Sequence, residues 1–351
     1  MDNMNGPDFS TPKSDWNFFA AHAGALGSDL YAELSEHISR DQEVKALAAQ
    51  AQPGQPHPNL LFGAVHFLIL RGARHPFRDF CATVGGSKRN NPYPAFRDFV
   101  HSHRAALARL IATRVTNTNE VQRSAILHAG FAAIAQHTDH PLFAIEIGPS
   151  AGLNLNWHLY GVRYLRNGAV RAQVSPGAAL VLDCDLRSAD APPVGRLPFL
   201  AGRLGLERAP VDLADPDQRD WLRALIWADQ PARLKRLDRA IALFDRDAAP
   251  ILGGDALDLL PGALAGVPAD AVPVVYHTLA VYQFDAAMTA RLEAILAGAG
   301  RPLFRLACEY DGVLLLSAYG GGPVRTQRLG LAHPHGTWLE WQALSTGPAL
   351  L

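Results

Sequence analysis

The segment Phe143-Ala144-Ile145-Glu146-Ile147-Gly148-Pro149-Ser150-Ala151-Gly152-Leu153-Asn154 sets an acid, a glycine-rich turn and a helix start close together. Glycine takes backbone angles closed to other residues and lets the main chain approach a ligand. A helix that follows points its unsatisfied N–H groups into the turn. An acid just before it suits a ligand with a positive charge, or with hydroxyl and amine donors. S-adenosylmethionine carries a sulfonium, an amine and a ribose diol. Glu146, Gly148, Ser150, Gly152 and Asn154 are therefore candidate cofactor-binding residues.

Such a turn needs a buried strand before it and further parallel strands beside it. The chain supplies candidates: a first strand at Phe143–Ile147, a second at Ala179–Leu182, a third at Pro250–Gly253, a fourth at Val272–Tyr276 and a fifth at Leu303–Cys308. Helical patterns at 217–244 and 285–297 alternate with them, which argues for a parallel sheet. Val313–Tyr319 and Gln327–Ala332 read as a closing antiparallel pair, extended by Trp338–Trp341.

Ligands of such sheets sit beyond the carboxyl ends of the strands. Asp183, with Asp185 close behind, is the expected acceptor for ribose hydroxyls. Asp255 is the expected acceptor for an adenine amine, beside a small Ala256 that leaves room for the ring. His277 ends the fourth strand together with Thr278, and as an imidazole it is a candidate general base. Asn119, Glu120 and Arg123 lie within one turn of the helix that feeds the first strand, so they can reach one site together. His333-Pro334-His335-Gly336 explains itself as a hairpin turn. His335 is nevertheless a candidate pocket residue with His277 and Tyr282, and no ligand spacing beside these histidines suggests a metal.

Before residue 142 the pattern is helical only. Asp29–His37, Asp41–Ala49, an apolar and therefore buried helix at Leu60–Arg71, and Ala95–Ile111 lead to Asn117-Thr118-Asn119-Glu120, a good helix N-terminus. The domains are expected at 1–117, a helical cap, and 118–351, the α/β domain. The cap is expected to lie over the strand ends as a lid and to enclose a small polar substrate.

The chain has 351 residues, 48% apolar and 19% charged, with a formal net charge of −1. No basic stripe suggests a nucleic-acid partner. Three widely spaced cysteines argue against a disulfide framework. Met1–Asp15 lacks the basic start and apolar core of a signal peptide, and no apolar run is long enough to span a bilayer. A soluble, cytoplasmic protein is expected, of unspecified oligomeric state.

The Glu-x-Gly-x-Ser-x-Gly pattern resembles the first motif of the Rossmann-like methyltransferases, with Ser150 at the usual middle glycine. Over nearly its whole length the chain also resembles a bacterial family known only as domain of unknown function 2332. Pro58-Asn59-Leu60-Leu61 with Ala64-Val65-His66, Thr118-Asn119-Glu120-Val121, Glu146-Ile147-Gly148 with Ser150 to Leu155, Gly254-Asp255-Ala256 and His335-Gly336 carry that resemblance. It implies a distant likeness to the S-adenosylmethionine-dependent methyltransferases: a Rossmann-like sheet of parallel strands plus a closing antiparallel pair. The expected function is methyl transfer to a small polar molecule. The fourth strand lacks the Asn-Pro-Pro-Tyr signature of amino-methylating enzymes, which speaks against a nucleobase amine as acceptor. Two alternatives stay open. One is a non-catalytic protein that binds S-adenosylmethionine or a nucleotide. The other is an α/β-hydrolase, since Gly-x-Ser-x-Gly also describes a nucleophile elbow, with Ser150, Asp255 and His333 or His335 in the order of a triad.

Overall fold

The computed structural model describes residues 15–320 and 322–342. Most of the Met1–Asp15 stretch read for a targeting signal lies outside the described residues. Six helices come first: α1 (Trp16–Ala25), α2 (Asp29–Ile38), α3 (Gln42–Ala48), α4 (His57–Leu70), α5 (Tyr93–Ser102) and α6 (Arg104–Thr113). Next are α7 (Ser124–Ile134), β1 (Leu142–Ile147), β2 (Gly161–Arg166), β3 (Ala169–Val174), β4 (Val181–Leu186) and β5 (Leu200–Glu207). Helices α8 (Pro216–Ala224) and α9 (Pro231–Phe244) precede β6 (Ile251–Gly253), α10 (Ala256–Ala265), β7 (Val272–Thr278) and α11 (Ala286–Ala297). Strands β8 (Leu303–Cys308), β9 (Val313–Tyr319), β10 (Arg325–Ala332) and β11 (Trp338–Trp341) complete the chain.

Two compact units divide these elements. Residues 15–118 and 211–238 form one, and residues 119–210 and 239–342 the other. The first is helical. Asp15, Ser28 and Asp41 each accept a backbone N–H at the start of α1, α2 and α3, which satisfies donors that a helix leaves open. Helix α4 is apolar on all sides and buried accordingly. Its Phe62 stacks on Tyr31 at 4.2 Å and meets Trp16 and Phe96 at 5.8 Å.

Two long helices read from the pattern are each broken. The helix expected over Ala95–Ile111 stops at His103, whose backbone leaves helical angles and whose Nδ1 hydrogen-bonds the Phe99 carbonyl. The one expected over 217–244 is two helices, α8 ending at Ala224 and α9 opening at Pro231, where proline suits a first helical position.

The second unit carries one sheet of eleven strands in the order β3-β2-β4-β11-β10-β9-β8-β7-β1-β5-β6. Strands β6, β5, β1, β7 and β8 run parallel, and β9 turns back antiparallel on β8. The closing antiparallel pair is present as β9 and β10. The unit is therefore α/β, with a mostly parallel, Rossmann-like run of strands. Strand β1 lies in the middle of that run with nearly every residue buried, as a parallel strand covered on both faces must be. On one face Phe131 of α7 packs on Tyr276 and on Trp157. On the other, Ile145, Ile147, Val275 and Leu303 meet Leu257, Leu260, Leu292 and Leu296 of α10 and α11.

The strand read as second in the sheet is the main correction. It is β4, which pairs with β2 and β11 and stands six places from β1. The neighbour of β1 is β5, from a region read as irregular. Gly202 and Gly205 break its apolar run, so no alternation marks it. A further hairpin, β2–β3, lies outside the expected strands; its turn, Asn167-Gly168, has positive φ at both positions. Asn-Gly between two short strands is the sequence signal that would have found it.

Candidate functional site

The turn after β1 lies where the sheet's connections part, to β5 on one side and β7 on the other. Gly148 is exposed there with φ +72°, and a Cβ on it would come within 2.7 Å of the Ala280 Cβ. Ser150 takes φ +58° and is buried; its N–H donates to Glu207 Oε2 at 2.8 Å. Gly152, at φ +79°, is closed in by Ile251 and Phe244. Beyond it the expected helix is a 3₁₀ turn over Leu153–Leu159.

The segment before α7 is sewn to this turn. Asn119 Oδ1 accepts the Leu153 N–H at 3.0 Å. Asn154 accepts from Ser124 Oγ at 2.8 Å and donates to the Glu120 carbonyl at 3.2 Å. Asn119 and Asn154 thus fix the backbone, and both are buried. Arg123 extends across the strand ends: Nε donates to the Pro334 carbonyl at 2.9 Å and Nη1 to the Thr278 carbonyl at 3.2 Å. It therefore joins the chain before α7 to the end of β7 and to the hairpin that carries His333 and His335.

Glu146 is buried behind the turn and accepts from the Tyr276 hydroxyl at 3.1 Å. Burial pushes its carboxyl up to about 8, against the opposing pull of the Tyr276 hydrogen bond and of Arg123. It is mostly neutral at pH 7.

His277 is held on both sides. Nδ1 hydrogen-bonds Glu309 Oε1, and Nε2 accepts from Arg305 Nε at 3.0 Å. Burial keeps its pKa below the ordinary value. With both ring nitrogens engaged, its contacts are those of a positioning residue. Burial alone would raise the Glu309 carboxyl, but His277 and the N–H groups of Ala280 and Tyr282 hold it below the ordinary range. Through Ala280, Val281 and Tyr282, Glu309 fixes the loop after β7. The exposed Tyr282 ring meets Tyr310 edge-on at 4.5 Å. His335 donates its N–H to His333 Nδ1 at 3.0 Å, inside the hairpin.

The remaining acids divide. Asp255 caps α10 through the Leu257 N–H at 2.9 Å and pairs with Arg208 at 2.8 Å; the cap and Arg208 hold its pKa low. Ala256 begins that helix. The Asp183 carboxylate is exposed on β4 and forked to Arg163 at 2.7 and 2.8 Å. Only its carbonyl approaches the others, accepting from Gln122 at 2.7 Å. The structure thus gathers Asn119, Arg123, Gly148, Ser150, Gly152, Asn154, His277 and Tyr282 around one set of strand ends, with Asp255 at the neighbouring strand end and the Asp183 side chain elsewhere.

From residue 13 to residue 341 the chain matches the profile of a family described as uncharacterized protein conserved in bacteria (DUF2332). The chain belongs to this family. No curated protein matches it. Among the described residues no group of three or more His, Cys, Asp or Glu is arranged to hold a metal ion, and no helix is long and apolar enough to cross a membrane.

In this DUF2332 chain Glu207, Glu309 and Tyr310 also stand in the site, beyond the residues expected from the sequence. Glu309 and Tyr310 directly follow the expected fifth strand, Leu303–Cys308, so the rule that residues just after each strand matter points to them. Glu207 required β5, whose pattern is broken.

Proposed function

We propose that this chain binds S-adenosylmethionine at the turn after β1 and transfers its methyl group to a small polar molecule. The observation that carries the reading is Glu207. It is an acid at the carboxyl end of the strand beside β1, and its carboxylate touches the glycine-rich turn. That position suits an acceptor for a ribose diol, the role first expected of Asp183.

The other groups fit the same cofactor. Gly148, exposed at the turn, has no side chain, and Ala280 packs where its Cβ would stand, so the bare main chain faces an incoming ligand. Asp255 and Ala256, at the end of the next strand outward, suit an adenine amine and the flat ring beside it. When bound, the cofactor supplies an electrophilic methyl on a sulfonium, and its positive charge is best met by nearby carboxylates. Glu146 and Tyr276 support the turn from beneath as a neutral hydrogen-bonded pair. His277, through Glu309, holds the loop on the acceptor side, so the acceptor's proton is not assigned to this imidazole. A net charge of −1 agrees with a small-molecule substrate and gives no footprint for nucleic acid.

Isothermal titration with S-adenosylmethionine and with its demethylated product tests the reading. Micromolar binding by the wild type, weakened at least tenfold in Glu207→Ala, is expected. No heat with either compound on folded protein would overturn it. Binding without transfer to any offered acceptor would mark a binding protein rather than an enzyme.

A further inference from the structure

Arg123 is a cation at these strand ends that no described carboxylate pairs with directly, although Glu120, Glu146 and Glu309 lie within its electrostatic reach. Two backbone carbonyls, Thr278 and Pro334, hold Nε and Nη1. Carbonyl oxygens fix the plane of a guanidinium without cancelling its charge. No described carboxylate forms an ion pair with Arg123; Glu120 and Glu309 act on it only from farther away. The residue is half-buried, and Nη2 has no hydrogen-bond partner among the described residues. A desolvated cation in one fixed orientation gains most from an incoming anion, since charge-assisted bonds strengthen as water is excluded. Tyr282 and Tyr310 stand within electrostatic reach of the same guanidinium. Their rings stand edge to face, and Glu309 fixes the backbone of Tyr282.

We propose that Arg123 is the anion receptor of this site and that its ligand is a small molecule bearing a carboxylate next to an aromatic or flat apolar group, which packs on Tyr282 and Tyr310. The proposal rests on the reading of these strand ends as a reaction site and narrows the small polar substrate to an aromatic acid. Anchoring by Arg123 would bring such a substrate to the loop after β7, beside the turn after β1.

Fluorine NMR with 4-fluorobenzoate tests this, with 4-fluorobenzamide as the neutral isostere and no cofactor present. The benzoate signal broadens on adding protein, and the benzamide binds at least tenfold more weakly. Arg123→Gln weakens benzoate at least tenfold. Because Arg123 also clamps two loops, Tyr282→Ala is the second variant: its ring is exposed, so the fold survives, and benzoate weakens severalfold. Absence of benzoate binding, equal binding of benzamide, or unchanged affinity in a folded Arg123→Gln overturns the proposal. If Arg123→Gln does not fold, unchanged affinity in Tyr282→Ala does so. Binding of S-adenosylmethionine without benzoate removes this inference alone, and benzoate binding without S-adenosylmethionine removes the cofactor reading alone.

Discussion

The carboxylate of Glu207 accepts the backbone N–H of Ser150 at 2.8 Å, which ties the end of β5 to the turn after β1. Glu207 also accepts from the Ala209 N–H at 3.1 Å. Ser150 is held in the left-handed region, where a residue with a side chain is strained and needs its surroundings to keep it there.

Glu207→Ala therefore has two effects. The turn loses a charge-assisted bond to a buried N–H, costing about 1.5–3 kcal/mol, measurable by chemical denaturation. Affinity for S-adenosylmethionine falls with it. Glu207→Gln keeps an acceptor and recovers most of the stability. A stable Glu207→Ala with wild-type affinity would show the contact to be incidental.

Glu146 gives a pH signature. Its folded pKa, about 8, lies above the unfolded value of 4.5. The native state holds the proton more tightly, so this group's contribution is fully present below pH 4.5 and is lost as pH rises towards 8. Glu146→Gln removes the titration and keeps a neutral hydrogen-bonding group near Tyr276. Melting temperatures of the variant should exceed the wild type by a growing margin from pH 5 to pH 8.5. Parallel curves would mean that Glu146 is ionised in the fold.

The buried imidazoles act in the opposite sense. Burial lowers His66, His128 and His158 to about 4 from an ordinary 6.5. Their unfolded forms bind protons more readily, so the stability they contribute is complete above pH 6.5 and is lost as pH falls towards 4. His66 bonds the Ala224 carbonyl and Thr83 through its two nitrogens. His66→Phe should flatten the acid limb of the melting curve while lowering stability near neutrality.

Removing His277 should look like a lesion of stability before one of chemistry. His277→Ala leaves Glu309 and Arg305 without the ring they share, at a cost of about 3 kcal/mol. Glu309→Gln weakens the same network more mildly and loosens the loop over residues 280–282. Hydrogen exchange in that loop should quicken in both variants. A normally stable His277→Ala that binds cofactor yet transfers nothing would return His277 to the role of base.

Cys81, Cys184 and Cys308 are all free and buried. Burial raises all three thiols, Cys81 and Cys308 to about 12. Ellman's reagent should label none of the three in native protein and all of them in guanidinium. Fast labelling of the native state would contradict their burial.

Local pattern was enough for much of this protein. The apolar run of α4 forecast a buried helix, and the β1 segment forecast a buried strand followed by a sharp glycine-rich turn. Alternation after residue 142 forecast an α/β unit. Each of these depends on side-chain periodicity or on backbone angles that a few adjacent residues decide. Strand order is different. Nothing local to Val181–Leu186 or Leu200–Glu207 says which will lie beside β1, because pairing is decided by competing long-range contacts. For that reason the acid at the neighbouring strand end is Glu207 rather than Asp183. Arg123 meets Thr278 and Pro334 across 155 and 211 residues of chain. Such carbonyl clamps carry no side-chain pattern at all, since any residue supplies the carbonyl, so only the tertiary fold could assemble them.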